Sequence, residues 1–481
     1  MAQSLSERVE RTCKAFAQSH AFLEGGTAPV SFANFFLAIL RFSECLIDAG
    51  VQAGDHVVVT TRETISVAAM KLALIRIGAT PIAVGAAAAA VDGPVKVNWV
   101  VRARPDCSGQ PFEIPFDQSW IRAPGRYIPI TPGGRIIHAT SGTTGIPKLR
   151  NDSEETFLAR IHNGLRARGT LDGPVFVAQN VGSLIGLKSV LSGLLEIQCV
   201  MPMMATVEET IQGLAANKIA HAFIPPLHLR RLVDAAETAG AEFPSLRRIN
   251  VGGGAISGKF ASRCERVFGC EVYTDYGSTE TDTIASFRAS RTEDAPGLVG
   301  PIWDVFNYRF QTLEGADASP SDGGELFLQV PENMRTENYP ENIALFDEDG
   351  WISTGDIGRM TTEGNLVLSG RKSELINVGG NKLAPSMLEQ AAARYRGVSE
   401  VAAFRVPTDT GIDEIGFGVV IADGFDEAEF MASLTRNIGD LYNFRVVQMP
   451  AIPQTDTGKT DRKALAQALQ DREEPGDHAT V

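Results

Sequence analysis

Between residues 32 and 84 the chain twice runs from a helix-spaced apolar segment, through a glycine, into a short apolar stretch. This rhythm constrains the fold more than any other feature. Phe32–Ala49 has apolar residues at helical spacing and stops at Gly50, ahead of a strand expected at His56–Thr60. Ser66–Ile77 repeats the pattern, closing at Gly78 before Thr80–Val84. The alternation recurs at Val175–Ala178, Ser189–Leu195, Gln198–Met201, Thr206–Asn217 and Ala222–Pro225. It continues at Arg248–Val251, Gly258–Phe268 and Glu271–Thr274. Strands separated by helices predict an α/β fold of mostly parallel sheets covered by helices.

From residue 297 the texture changes. Short β-like pieces at Glu325–Val330, Ile343–Phe346, Trp351–Ser353 and Leu366–Ser369 alternate with turn clusters such as Asp322-Gly323-Gly324, and predict a compact β subdomain. Past Gly370 the pattern becomes α+β, with helices expected at Pro385–Arg394 and Asp426–Ile438 and strands at Val401–Val406, Ile415–Ile421 and Arg445–Met449. With 481 residues, more than one core is expected. The reading is a large N-terminal domain over 1–370 and a small mobile domain over 371–481.

The formal net charge is −14, from 44 Lys+Arg against 58 Asp+Glu, a field that repels nucleic acid and anionic membranes. An anionic ligand therefore needs local Lys, Arg and backbone N–H groups. Six scattered cysteines give no disulfide framework, the start of the chain is polar, and no apolar run reaches membrane-spanning length. A cytoplasmic protein is expected.

Four strings carry candidate chemistry. The first, His138-Ala-Thr-Ser-Gly-Thr-Thr-Gly-Ile-Pro-Lys148, follows the apolar residues Arg135–Ile137. Glycines that admit close approach, hydroxyl donors and one lysine suit a loop wrapping phosphate, although a solvated turn has similar composition. It is not a Walker A loop, because Pro147 precedes Lys148 and no Gly-Lys-Ser/Thr follows. The second, Tyr276-Gly277-Ser278-Thr279-Glu280, lies past the carboxyl end of an expected strand, where ligands of open α/β sheets gather. The third, Trp351-Ile-Ser-Thr-Gly-Asp356, precedes Gly370-Arg371 and Gly379-Gly380-Asn381-Lys382. The fourth, Pro453-Gln-Thr-Asp-Thr-Gly-Lys459, precedes a helix expected near Asp461.

In this order and at these separations the four strings resemble the acyl-adenylate-forming superfamily: acyl- and aryl-CoA synthetases, peptide-synthetase adenylation domains and firefly-type luciferases. The resemblance runs from about residue 30 to residue 465 and implies an ATP- and Mg²⁺-dependent enzyme that activates a carboxylic acid. It implies that Thr140, Ser141, Gly142, Thr143, Thr144, Gly145 and Lys148 wrap the phosphates. Gly253, Gly254 and Ala255, with Tyr276, would hold adenine; Asp356 would take the ribose hydroxyls, with Arg371 beside ribose or phosphate. Glu280 would hold Mg²⁺, Thr279 would face phosphate, and Lys459 would reach the reacting carboxylate. Ser373 falls on the hinge position, where the family usually has Asp or Lys, and Gly379-Gly380 on the loop approaching a thiol. The chain departs again after Lys148: Leu149-Arg150 stands where a glycine and an apolar residue are usual.

The acid itself is less legible. Asn180, Gly186, Gly252, Gly277 and Ser278 fall on the pocket-forming stretches. The segment Val177–Val181 lacks the acidic residue that holds an amino-acid ammonium, which disfavours an α-amino acid. Asn180 either orients a polar acid or is structural. The acceptor is expected to be CoA or the phosphopantetheine of a separate carrier protein; delivery to an amine or hydroxyl, or a non-catalytic nucleotide-binding scaffold, are the alternatives.

Overall fold

The computed structural model describes residues 3–23, 29–60, 63–82, 96–102, 113–116, 120, 122–140, 148–254, 256–292, 295, 297–339, 344–378, 381–408, 413–454 and 460–473. The chain forms two compact units. One comprises Met1–Glu293, Pro301–Asn307 and Gln329–Ile352; the other comprises Asp294–Gly300, Tyr308–Leu328 and Ser353–Val481.

The first unit contains two large sheets. One runs in the order Asp282–Arg288, Glu271–Ser278, Arg248–Val251, His221–Ile224, Val175–Val177, Val200–Pro202, His20–Phe22 and Val30–Ser31. Its middle is parallel, and antiparallel pairs close both edges. The other runs Glu337–Tyr339, Lys148–Ser153, Arg135–Thr140, Thr80–Ile82, His56–Val59, Trp99–Arg102 and Glu113–Pro115.

Successive side chains of a strand point to opposite faces, and Val175–Val177 uses both. Val175 and Val177 join a core with Val57, Val59 and Val101 of the other sheet and with helices Phe32–Asp48, Thr64–Arg76 and Leu184–Leu195. Phe176 joins the opposite core, under helices Val207–Ala216, Pro226–Ala239 and Gly258–Phe268. Strands buried on both faces read as continuous apolar runs, which is why they were visible in the sequence.

The second unit holds a six-stranded sheet, ordered Leu298–Gly300, Leu366–Arg371, Trp351–Met360, Gly324–Gln329, Asn307–Gln311 and Asp317–Ala318. It also holds a three-stranded sheet of Val398–Val406, Glu414–Ile421 and Phe444–Gln448. Helices Pro385–Ala392 and Glu427–Ile438 cover one face of that small sheet through Ala403, Phe417, Phe430 and Leu434. The helix Arg462–Glu473 covers the other face through Leu465 and Leu469. The β subdomain is therefore present, but of the strand expected at Ile343–Phe346 the described residues, 344–346, form no strand. Among the described residues no helix is long and apolar enough to cross a membrane.

Candidate active site

The strand expected to end at Thr274 continues to Ser278 and turns back antiparallel as Asp282–Arg288. Tyr276 and Gly277 are consequently part of a strand, with an irregularity in register between them, and Thr279–Thr281 form the tip. Antiparallel pairing supplies the main-chain partners that Gly277 and Ser278 would lack in a loop. Ser278 Oγ lies 3.1 Å from Thr281 Oγ1 and accepts the Thr281 N–H at 3.3 Å, tightening the tip.

A buried arginine fixes this tip from behind. Arg160, on helix Glu154–Arg168, donates from Nη1 to the Thr279 main-chain oxygen at 3.0 Å and from Nη2 to that of Glu280 at 2.8 Å. Its Nε donates to the Met334 oxygen at 2.9 Å. The helix begins where Ser153 caps it and Glu154 and Glu155 meet the positive end of its dipole. Asp152, on strand Lys148–Ser153, supplies the countercharge 3.4 Å from Arg160 Nη1 and lies 3.1 Å from His138 Nε2. Burial pushes the Asp152 carboxyl up, but Arg160 and the His138 hydrogen bond outweigh it and hold its pKa at about 2. Burial drives the His138 pKa down against the pull of Asp152, so the ring is neutral and Nε2–H donates to the carboxylate. His138 is a structural histidine here.

Arg150, on the same strand as Asp152, reaches the Glu280 side chain. Its Nε and Nη2 donate to Glu280 Oε1 at 3.1 and 2.7 Å, and its Nη1 donates to Asn338 Oδ1 at 2.5 Å. Burial raises the Glu280 pKa, the Arg150 charge more than reverses this, and the net value falls below the ordinary range. Glu280 is therefore ionised, an oxygen donor of the kind that suits a hard cation such as Mg²⁺. Among the described residues no group of three or more His, Cys, Asp or Glu could hold a metal. Mg²⁺ is commonly held by one or two carboxylates together with phosphate and water, so a single carboxylate is compatible with it.

Thr140 pairs with Lys148 where strands Arg135–Thr140 and Lys148–Ser153 form a hairpin. The remaining phosphate-loop residues, Ser141, Gly142, Thr143, Thr144 and Gly145, lie outside the described residues, as do Ala255, Gly379, Gly380 and Lys459. Gly252, Gly253 and Gly254 follow strand Arg248–Val251, and Gly253 has φ +88°, a conformation that favours glycine. The pocket candidates converge in part. A Cβ on Gly186 would fall 2.0 Å from the Asn180 main-chain oxygen, and one on Gly252 would fall 2.8 Å from Ile185 Cδ1. Asn180 Oδ1 accepts the Gly182 N–H at 2.7 Å, which gives this residue a turn-forming role.

In the second unit Asp356 lies within the extended strand Trp351–Met360, just after Gly355. Its Oδ1 accepts from Arg371 Nε at 2.9 Å across the paired strand. Ser373 sits in a single turn of 3₁₀ helix, Lys372–Glu374. Ion pairs flank it: Lys372 with Glu325 at 2.6 Å and Glu374 with Arg462 at 3.4 Å. Residues 455–459 are bracketed by a bridge between Gln454 and Thr460.

Sequence reading missed several buried ions. Arg160 and Asp152 support the acidic tip, and Lys188 pairs with Asp282 beside it. Lys71, on helix Thr64–Arg76, donates to the main-chain oxygens of Val181 and Gly182 at 3.2 and 2.7 Å, and burial pushes its pKa down to about 7. Only Arg150 left a sequence signal, as a charge where an apolar residue was expected.

Residues 135–336 match the family described as AMP-binding enzyme. That span contains both the hairpin around the phosphate-loop candidate and the Glu280 tip. An oxalate–CoA ligase of Arabidopsis thaliana is 26% identical across 96% of this chain and 98% of its own length. The matched span carries an AMP-binding enzyme domain, and the chain is similar to acyl-adenylate-forming ligases. The chain also shares its fold with solved structures. ATP-bound MatB from Rhodopseudomonas palustris gives a TM-score of 0.82 at 19% identity, covering 98% of this chain and 100% of that one. The amide bond synthetase McbA from Marinactinospora thermotolerans gives 0.78 at 20% identity, covering 96% and 99%. The AMP-binding enzyme match and the CoA-ligase relatives make the protein a ligase that activates a carboxylic acid.

Proposed function

We propose that the protein converts a small carboxylic acid to an acyl-adenylate with ATP and Mg²⁺, then transfers the acyl group to a thiol, that of CoA or of phosphopantetheine on a separate carrier protein. The observation that carries this reading is the Arg150–Glu280 pair, which joins residues 130 apart. It ties the acidic tip to the strand that begins at Lys148, the last residue of the phosphate-loop candidate.

In this reading Thr140–Lys148 holds the phosphates, Gly253–Ala255 and Tyr276 hold adenine, and Asp356 accepts the ribose hydroxyls with Arg371 beside it. A carboxylate oxygen of the acid attacks the α-phosphorus, and the bond to pyrophosphate breaks. Two anions collide in that step, and the phosphoryl oxygens gather charge. Lys459 neutralises it, and loss of one such donor costs about 2.7–4 kcal/mol of barrier. Glu280 would hold Mg²⁺, which when bound would add further neutralisation on the phosphates. The thiol then attacks the acyl carbonyl and AMP leaves. Segment 371–481 turns against 1–370 about Ser373 between the two steps, bringing Gly379-Gly380 toward the thiol. A cytoplasmic setting fits the cysteines: burial holds Cys13, Cys264 and Cys270 near pKa 12, as inert thiols.

The test is acid-dependent ATP–pyrophosphate exchange over a panel beginning with small dicarboxylic and aryl acids. CoA, a holo-carrier protein and a simple amine are then offered in turn to the preformed adenylate. Exchange followed by thioester formation supports the reading. Amide formation alone would move the acceptor to an amine, and nucleotide binding with no exchange on any acid would leave a scaffold.

A further inference from the structure

The guanidinium of Arg150 occupies one oxygen of the carboxylate proposed above for the metal. Two of its N–H groups converge on one oxygen, Glu280 Oε1, at 2.7 and 3.1 Å. The side chains are 6% and 20% exposed, so water screens the pair weakly. Arg160 does not compete for this carboxylate, because its donors go to main-chain oxygens and Asp152.

We propose that Arg150 is a competing cation for Glu280: it holds Oε1 of the carboxylate, and Mg²⁺ arriving with ATP has to work against that hold. This rests on the reading of Glu280 as the metal-binding carboxylate. An ionised carboxylate offers about four lone-pair sites, and two N–H groups on one oxygen fill that oxygen's share. A divalent ion binding the same oxygen displaces at least one of them and is repelled by the remaining positive charge. The displaced guanidinium is not stranded, because Nη1 still donates to Asn338 Oδ1 and to the Leu149 oxygen at 3.2 Å. Part of the metal's binding free energy goes into breaking the pair. Magnesium therefore strengthens ATP binding less than a bare Glu280 would allow, and the enzyme needs more free metal. Arg150 is in this sense a positioning residue that sets the metal requirement.

The test compares the affinity for α,β-methylene-ATP with excess Mg²⁺ and with EDTA, by calorimetry on the full chain. The ratio of the two affinities measures the coupling between metal and nucleotide. Arg150→Leu is expected to raise that ratio about tenfold, the scale of one charge-assisted hydrogen-bonded pair. Arg150→Lys, which keeps the charge but loses the fork, should raise it less and serves if the leucine variant does not fold. Arg150→Leu combined with Glu280→Gln should abolish the increase. An unchanged or lower ratio in folded Arg150→Leu and Arg150→Lys overturns this inference alone. Absence of nucleotide binding in the wild type overturns the functional reading and this inference with it.

Discussion

Arg160 Nη2 donates to the main-chain oxygen of Glu280 at 2.8 Å, across 120 residues of sequence. A fully buried guanidinium thus fixes the backbone of the acidic tip while leaving its carboxylate to other partners. Position and charge of the candidate metal ligand are set separately, by Arg160 and Arg150.

Removing Arg160 takes away the charge partner of Asp152, which has no solvent exposure. Arg160→Leu should lower unfolding free energy by about 3–5 kcal/mol, the usual cost of breaking a buried pair on one side. Urea unfolding measures this. Adding Asp152→Asn should recover part of the loss, and a double variant no better than the single one would contradict the pairing.

Lys71 gives a pH signature. Burial holds its folded pKa near 7, below the ordinary 10.5, so between these values the unfolded chain holds a proton that the folded one lacks. Stability from this group rises with pH through that window and is lowest below pH 7. Between pH 7 and 10 the wild type should gain on Lys71→Met by roughly 2–4 kcal/mol. Parallel urea midpoints for the two proteins would show Lys71 to be charged in the fold.

Asp356 is assigned to the ribose. Asp356→Asn should weaken ATP binding by about ten- to a hundredfold, the scale of charge-assisted hydrogen bonds. The wild type should bind 2′,3′-dideoxy-ATP more weakly than ATP, and Asp356→Asn should make the protein indifferent to that replacement. Equal discrimination by both proteins, measured by calorimetry, would remove Asp356 from the site.

Ser373 lies between two ion-paired residues, Lys372 and Glu374. If the segment beyond it rotates, Ser373→Pro should preserve pyrophosphate exchange and slow thioester formation at least about tenfold, because proline fixes one backbone angle. Equal slowing of both half-reactions, followed by rapid quench, would argue against a hinge at this position.

The apolar strands and their helices were legible because both faces of the sheets are buried: Arg248–Val251 and Gly258–Phe268 have the bounds read from sequence. Helices Glu154–Arg168 and Pro226–Ala239 were missed although their signals are present. Ser153 caps the first, and the second begins at Pro226 and closes at Gly240 with φ +58°. The extension of strand Glu271–Ser278 was not legible, because its partner Asp282–Arg288 is defined only by the fold. Buried charges were harder still. Nothing local to Arg160 or Lys71 shows that an arginine or lysine is inside, since the oxygens that satisfy them come from Met334, Thr279, Glu280, Val181 and Gly182. The chemistry-bearing strings were legible as composition; their convergence, where it is described, appears only through contacts such as Arg150 with Glu280.

The most direct test of acid activation is ATP–pyrophosphate exchange in the wild type and in Lys459→Ala, measured side by side with ATP affinity. The account predicts exchange only in the presence of the right acid, its loss in Lys459→Ala, and nearly unchanged ATP binding in both. Exchange at the wild-type rate in Lys459→Ala would contradict it.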